Sequence, residues 1–135
     1  MLPLQVLVIG RDTTTIAALE NYLAGAGVAA RTARSMRDAA TVEPSTAAVV
    51  LFPDEFAARD VLAAVAAVRG ACPAVLIVLI TSAPQSFRSA TMSDGSSTPP
   101  LVMPRPAFGW ALLDAIREHA ESRRAGPAPF VQETL

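Results

Sequence analysis

The sequence predicts a single α/β domain in which helices cover both faces of a doubly wound, five-stranded parallel sheet. Apolar runs without polar alternation, typical of strands buried on both faces, alternate five times with segments of helical periodicity. The 135 residues are enough for one hydrophobic core and too few for two. Parallel strands need crossover helices, and right-handed crossovers place those helices on both faces of the sheet.

Five strands are predicted from the apolar runs. They cover residues 6–9, 28–33, 48–52, 75–80 and 101–103. The second run is the weakest because polar residues interrupt it. The fifth is short and flanked by prolines, which suits a strand at the edge of the sheet.

Capping residues and apolar faces define the predicted helices. Asp12 or Thr13 can cap the first helix, and Ser35, followed by Asp38, resembles the capping box of a short second helix. The apolar faces of the first, third and fifth helices consist of Ile16, Leu19 and Leu23, of Val61, Leu62, Val65 and Val68, and of Phe108, Leu112 and Ile116.

Two stretches interrupt this alternation of strand and helix. Residues 82–100 contain six serines and three prolines without apolar periodicity, so we expect the fourth helix to be short or disordered. From Ser122 the chain resembles a linker or a disordered tail. The predicted domain therefore spans residues 1–121, and residues 122–135 form the tail.

Composition narrows the range of functions. The formal net charge is −1, all eleven basic residues are arginines, and no concentrated basic face is visible, so direct nucleic-acid binding is not expected. The one cysteine, Cys72, is predicted to be a small core residue. The amino terminus lacks a signal peptide's basic region, and no apolar run could span a membrane. We expect a cytoplasmic protein without membrane contact.

Five short segments occur in an order and at spacings that resemble the receiver domain of bacterial two-component response regulators. They are Val6–Ile9 before a polar loop, Leu23–Val28, Val68–Arg69 with Pro73, Leu79–Ser82, and Pro104–Phe108 before the last helix. The resemblance covers about residues 4–121. It implies a flavodoxin-like sheet with the strand order 2-1-3-4-5.

The resemblance also implies a site at which an aspartate at the end of the third strand accepts a phosphoryl group. In that family two acidic residues after the first strand hold Mg²⁺, and a Thr or Ser and a Lys contact the phosphoryl oxygens. The cation is needed because a carboxylate nucleophile and a phosphoryl donor repel each other.

This sequence departs from the family pattern at several positions of that site. Gly10 and Arg11 stand where the acidic pair is expected, which leaves Asp12 nearby. Pro53 stands at the acceptor position, with Asp54 one residue further on. An arginine opposes the cation that a carboxylate would bind, and proline has no nucleophile.

The switch positions also differ from the family pattern. Thr81 matches the family's Thr or Ser, but Arg105 replaces the lysine, and a guanidinium is not equivalent to an ammonium. Val102 occupies the position of the aromatic switch residue and has no ring to swing. We therefore interpret the chain as a degenerate receiver, a pseudo-receiver.

The predicted function is a non-enzymatic regulatory module without a cofactor that binds a protein partner or itself independently of phosphorylation. The resemblance implies bacterial signal transduction, with the module alone or at the amino-terminal end of a transcription regulator. Receivers commonly use the surface of the fourth helix, fifth strand and fifth helix for dimers and partners. On it we single out Trp110, with Leu113 and Arg117 near it, as candidate contact residues.

Two other functions stay open. One is an atypical phosphoacceptor of a phosphorelay, with Asp54 as acceptor, Asp12 and Asp54 as Mg²⁺ ligands, and Thr81 and Arg105 at the phosphoryl group. The other is an anion or nucleotide site at Arg11 and Thr13–Thr15, because a helix N-terminus favours negative charge.

The state of the two arginines is also open. Arg11 and Arg105 either pair with Asp12 and Asp54 across the pocket, which would hold its loops without Mg²⁺, or are solvated.

Overall fold

Five parallel strands form one sheet in the computed structural model, which describes residues 4–91, 100–105 and 109–125. The strands are β1 (Leu4–Ile9), β2 (Val28–Ala33), β3 (Ala48–Leu51), β4 (Leu76–Thr81) and β5 (Leu101–Pro104). They lie in the order β2-β1-β3-β4-β5, and every neighbouring pair is parallel. The predicted fold class and strand order are confirmed.

Helices cover both faces of this sheet. The α-helices are α1 (Thr13–Gly25), α2 (Ala58–Ala71), α3 (Pro84–Thr91) and α4 (Gly109–Ala125). Two 3-10 helices cover Met36–Thr41, between β2 and β3, and Pro53–Glu55, directly after β3. In the described part of the chain, no helix has both the length and the apolar composition needed to cross a bilayer.

Alternate residues of the central strands face two separate cores. Leu7 and Ile9 of β1 pack with residues of α2, whereas Val6 and Val8 pack with residues of α1 and α4. Every residue of β3 and β4 is buried. Because each buried Val, Leu or Ile contributes about 1.5–3 kcal/mol, these strands fix the sheet and so the loops at its carboxyl edge.

Polar and glycine residues set the two ends of α1. Asp12 is its N-cap and accepts hydrogen bonds from the amides of Thr14 and Thr15, which confirms Asp12 over Thr13. After the helix, Gly27 has a φ of +83°, a left-handed conformation that residues with a Cβ rarely adopt. The chain therefore turns sharply into β2.

The predicted second helix is a 3-10 helix of six residues instead of an α-helix. Ser35 is its N-cap, as predicted, and accepts a hydrogen bond from the amide of Arg37. Val42 follows the helix with extended backbone angles. A segment this short gains few intrahelical hydrogen bonds, so the tighter and poorer 3-10 geometry is adequate.

The other helices differ from the predictions in detail. In α2 the fully buried side includes Ala64, whereas Leu62 is only half-buried, so the prediction for Leu62 is wrong. The fourth predicted helix is present, and the described part of α3 has eight residues, Pro84–Thr91. The predicted core residue Phe108 lies outside the described residues, while Leu112 and Ile116 are buried as predicted. Helix α4 continues to Ala125, past the predicted domain end.

Candidate functional site

Most of the site residues predicted from the sequence lie at the carboxyl edge of the sheet. The loops after β1, β3, β4 and β5 meet there, as the carboxyl ends of adjacent parallel strands must. The amide of Arg105 donates to the carbonyl of Thr81 (3.0 Å), which holds the ends of β4 and β5 together.

Asp54 is the acidic side chain at the centre of this edge. Its Oδ1 accepts a hydrogen bond of 2.5 Å from the Thr81 hydroxyl, and its Oδ2 accepts bonds of 2.9 Å from both the amide and the hydroxyl of Ser82. Arg105 Nη1 lies 3.5 Å from the same Oδ2. Both carboxylate oxygens are thus held by donors from two other strand ends.

The proline before Asp54 explains how a carboxylate one residue late still reaches the site. Pro53 is buried and begins the 3-10 helix of residues 53–55, where its missing N–H and fixed φ are tolerated. The tight turn directs the Asp54 side chain to the end of β4. The displacement by one residue moves the carboxylate beyond the strand end without removing it from the site.

The environment keeps Asp54 ionised. Burial raises the pKa of this carboxyl, but the hydrogen bonds from Thr81 and Ser82 and the charge of Arg105 together outweigh burial and hold the pKa below its usual value. Asp54 is therefore a carboxylate acceptor for four donor groups at neutral pH.

Asp12 serves the backbone of α1. Its Oδ1 accepts from the amides of Thr14 and Thr15, and its Oδ2 accepts a 2.8 Å bond from the Thr15 hydroxyl. The bonds from the hydroxyl and the amide of Thr15 outweigh the opposing effect of burial and, together with the Thr14 amide and the charge of Arg105, lower the pKa of Asp12. These amides and the Thr15 hydroxyl already hold a carboxylate of the chain itself, which disfavours the predicted anion site at Arg11 and Thr13–Thr15.

The two arginines have different partners. Arg105 pairs with Asp54 and lies 6.0 Å from the centre of the Phe52 ring, so the paired interpretation is correct for this residue. Arg11 pairs with neither predicted carboxylate; its guanidinium lies 4.9 Å from the centre of the Phe56 ring. For Arg11 the paired interpretation is wrong, because the side chain stacks on an aromatic ring away from the pocket.

Glu55 is a residue of this site that was not predicted from the sequence. Its Oε1 accepts hydrogen bonds from the amides of Arg11 (2.8 Å) and Asp12 (3.2 Å). The carboxylate therefore ties the loop after β1 to the turn after β3. The sequence did carry a signal for this contact, because Glu55 is a second acidic residue directly after Asp54.

Solved structures of receiver domains share this architecture. A response regulator receiver protein from Sinorhizobium medicae WSM419 matches with a TM-score of 0.75 at 18% identity, over 90% of this chain and 97% of that chain. A CheY-like response regulator receiver domain protein from Methanospirillum hungatei JF-1 matches with a TM-score of 0.74 at 14% identity, over 92% and 99%. The fold is that of a response regulator receiver domain.

A third structure supports the same assignment. A response regulator from Thermotoga maritima matches with a TM-score of 0.71 at 18% identity, over 90% of this chain and 100% of that chain. No protein-family profile and no curated protein sequence matches this chain. Because the identities are low, these comparisons establish the receiver fold only. The chemistry of the site has to be inferred from the residues of this chain.

The residues present do not fit the Mg²⁺ ion that receiver domains use. Gly10 is buried, and a Cβ there would lie 3.2 Å from both Ile16 Cδ1 and Phe52 Cδ2, so this position has no room for a carboxylate. Asp12 caps α1, and Asp54 is held by its own donors. Among the described residues, no group of three or more His, Cys, Asp or Glu side chains could hold a metal ion.

The two positions that the sequence resemblance matched to the receiver switch, Thr81 and Val102, are both buried. Thr81 is fully buried and uses its hydroxyl oxygen twice, donating to Asp54 and accepting a 3.0 Å bond from the amide of Ala83. Val102 is buried in the core that contains α2. Because valine has no ring, this side chain cannot move between a buried and an exposed ring position.

The candidate contact residues on the last helix occupy different environments. Trp110 is 59% exposed, whereas Leu113 is 6% exposed and packs in the core with Ile16. The prediction that Leu113 contacts a partner is therefore wrong, because its helical position turns it to the sheet. Arg117 is exposed and donates to the carbonyl of Ala26, at the far end of α1.

Proposed function

We propose that the chain is a receiver-fold signalling module that acts through protein–protein contacts and does not depend on phosphorylation. The observation that carries this proposal is the set of bonds to Asp54 from Thr81, Ser82 and Arg105. Consistent with this role, we propose that the module is neither an enzyme nor a binder of a cofactor.

The groups that would contact a phosphoryl group already have a partner within the chain. In the receiver family, a hydroxyl of Thr or Ser and a basic side chain contact the phosphoryl oxygens. Here the hydroxyl of Thr81 and the guanidinium of Arg105 already contact an anion, the Asp54 carboxylate. A fixed negative charge with two acceptor oxygens replaces the transient phosphoryl group. The switch groups are therefore held inward permanently.

The same bonds oppose the alternative in which Asp54 accepts a phosphoryl group. To attack phosphorus, a carboxylate oxygen must give up donors that stabilise its charge, and a lowered pKa makes it a weaker nucleophile. It would also need a divalent cation to offset the charge of the donor, in a site where the acidic pair is missing. Asp54 as phosphoacceptor remains the second candidate, favoured by its position in the turn directly after β3, at the carboxyl edge of the sheet.

For partners we propose the surface of α3, β5 and α4, which corresponds to the fourth-helix, fifth-strand and fifth-helix surface of receivers. Trp110 on α4 and Leu101 on β5 are exposed by 59% and 39%. Exposed large apolar side chains, aromatic ones above all, are common anchors of protein interfaces. We further propose that the module operates in the bacterial cytoplasm, alone or as the first part of a transcription regulator.

The deciding experiment exposes the full chain to acetyl phosphate with Mg²⁺ and measures its intact mass. A receiver with a complete acidic pair is treated in parallel as a positive control. We expect the control to gain the mass of a phosphoryl group and this chain to stay unchanged. Beryllofluoride with Mg²⁺, monitored by amide NMR shifts around Thr81, should likewise have no effect. A phosphorylated product that disappears in Asp54→Asn would establish the second candidate instead.

A further inference from the structure

The side chain of Arg11 lines a second feature of the molecule, a groove whose lining includes none of Asp54, Thr81 and Arg105. Glu55 holds the backbone amide of Arg11, and the guanidinium lies over the Phe56 ring at 4.9 Å. The loop and the ring together fix where this charge stands. Arg11 therefore lies at the rim of the groove, in a position set by two neighbours.

The groove lies between the 3-10 helix of residues 36–41 and α2. Its volume is about 620 Å³, within the range typical of ligand pockets. Its apolar wall includes Met36, Phe56 and several alanines of α2, among them Ala63 and Ala67. Alanine side chains leave room for another chain to approach the helix backbone. The short 3-10 helix and these small residues together produce the groove.

The charges at the rim define what the groove can attract. Arg11 and Arg37 line it on the basic side, and Asp60 is the acidic residue among those lining it. In the part of the chain that the structure describes, neither guanidinium forms an ion pair with a carboxylate. Each arginine thus has planar N–H donors available for a carboxylate from outside.

We propose that this groove docks an acidic peptide segment of a partner protein, at a surface separate from the face of α3, β5 and α4. Carboxylates of the segment pair with Arg11 and Arg37, and an apolar side chain between them packs on Met36 and Phe56. Asp60 accepts a hydrogen bond from the peptide backbone. Two arginines beside an acid suit isolated carboxylates, whereas a nucleic acid needs a continuous basic surface.

The test measures binding of a fluorescein-labelled peptide of alternating Glu and Leu residues to the full chain by fluorescence anisotropy. We expect saturable binding that Arg11→Ala and Arg37→Ala each weaken by about five- to ten-fold, as removal of one charge-assisted contact does. Arg59→Ala is the matched control, because Arg59 is an exposed arginine of α2 that does not line the groove. It should leave the affinity within about two-fold.

A second pair of measurements separates shape from charge. Ala63→Phe places a ring in the groove from an exposed position and should abolish binding while the melting temperature stays close to that of the wild type. The same peptide with Gln for every Glu should bind at least about ten-fold more weakly. Amide NMR shifts on addition of the Glu peptide should centre on residues 36–41 and on α2.

Several outcomes would overturn the proposal. They are absence of saturable binding, equal affinity for the Gln peptide, equal loss in Arg59→Ala, or shifts that centre on α4. Equal or tighter binding of a single-stranded oligonucleotide through the same two arginines would assign the groove to nucleic acid instead. None of these outcomes depends on Asp54, so they can be distinguished from a failure of the proposed phosphorylation-independent switch.

Discussion

Thr81 and Asp54, 27 residues apart in sequence, are joined by a 2.5 Å hydrogen bond from the Thr81 hydroxyl to Asp54 Oδ1. Thr81 is fully buried at the end of β4, whereas the Asp54 side chain is 22% exposed. The buried partner is fixed by the sheet, so it determines where the carboxylate stands. The turn after β3 is consequently attached to the end of β4 without any phosphoryl group.

The first prediction concerns the stability that this attachment contributes. Asp54→Asn replaces one acceptor oxygen with an NH₂ group, which cannot accept from Ser82 and does not attract Arg105. We expect the free energy of unfolding in urea to fall by about 1–2 kcal/mol, toward the lower end for charged hydrogen bonds because the side chain is partly exposed.

Asp114→Asn is the control for this substitution. Asp114 is an exposed aspartate of α4 with no hydrogen bond or ion pair to the described residues, and its loss should change stability by less than about 0.5 kcal/mol. If the two variants are equally stable, the bonds to Asp54 contribute nothing to the fold.

The second prediction is a pH dependence of the same interaction. The pKa of Asp54 is lower in the folded protein than in the unfolded chain, where the pKa of an aspartate is about 3.9. Its stabilisation is therefore complete above the unfolded pKa and is lost as the pH falls through the folded pKa.

The measurement compares urea unfolding of the wild type and Asp54→Asn at several pH values from about 7 to about 3. Asp12, whose pKa is also lowered, is present in both proteins, so its contribution cancels in the difference. We expect the stability difference to be constant down to about pH 5 and to shrink below it. A difference that grows as the pH falls would contradict the assigned direction.

The sheet was predictable because its signal is local in sequence. Residues 76–81 are all buried, as an apolar run without alternation predicts, and the strand order followed from the resemblance. The 3-10 geometry of residues 36–41 and the burial of Leu113 were not predictable, because both depend on packing between elements. Leu113 lies beside the predicted apolar stripe, and the sequence alone does not show how the helix is rotated about its axis.

The sequence predicted which residues form the site better than it predicted which of them bond to each other. The sequence identified Asp54, Thr81 and Arg105 as neighbours, since strand ends meet at one edge. It did not identify Glu55 as the acceptor for the Arg11 amide, because that bond joins residues 44 positions apart through a turn. Such contacts depend on the directions of side chains in tight turns, and a shift of one residue along the turn changes those directions.

The third prediction tests whether the magnesium site can be restored. Gly10→Asp supplies a carboxylate at one position of the family's acidic pair, but its Cβ would press on Ile16 and Phe52. Burial of a carboxylate without donors costs more than about 2 kcal/mol. We expect a clear loss of stability and no heat of Mg²⁺ binding by isothermal titration calorimetry.

Gly10→Ala separates the size of the new side chain from its charge. It introduces the same Cβ contacts without a carboxylate, so it should destabilise the protein less than Gly10→Asp does. Tight Mg²⁺ binding by Gly10→Asp would show that the pocket can rearrange to accept a metal.

The fourth prediction concerns Asp12, which the receiver pattern would make a metal ligand and the structure makes a helix cap. Asp12→Ala leaves the amides of Thr14 and Thr15 without their acceptor and should lower the denaturation midpoint. Asp12→Asn keeps an acceptor oxygen of the same reach and should restore most of the loss. Added Mg²⁺ should move neither midpoint; a Mg²⁺-dependent rise in the wild type alone would identify Asp12 as a ligand.

The last prediction compares two neighbouring residues of α4 that the sequence assigned to one surface. Leu113→Ala removes a core side chain that is 6% exposed and should cost about 2–4 kcal/mol in urea unfolding. Trp110→Ala alters a side chain that is 59% exposed and should change stability by less than about 1 kcal/mol. If Trp110 contacts a partner or a second copy of the chain, Trp110→Ala will weaken that association and leave stability unchanged. Sedimentation at increasing protein concentration measures the self-association. A loss of stability in Trp110→Ala as large as in Leu113→Ala would instead make Trp110 part of the fold and remove it from the proposed interface.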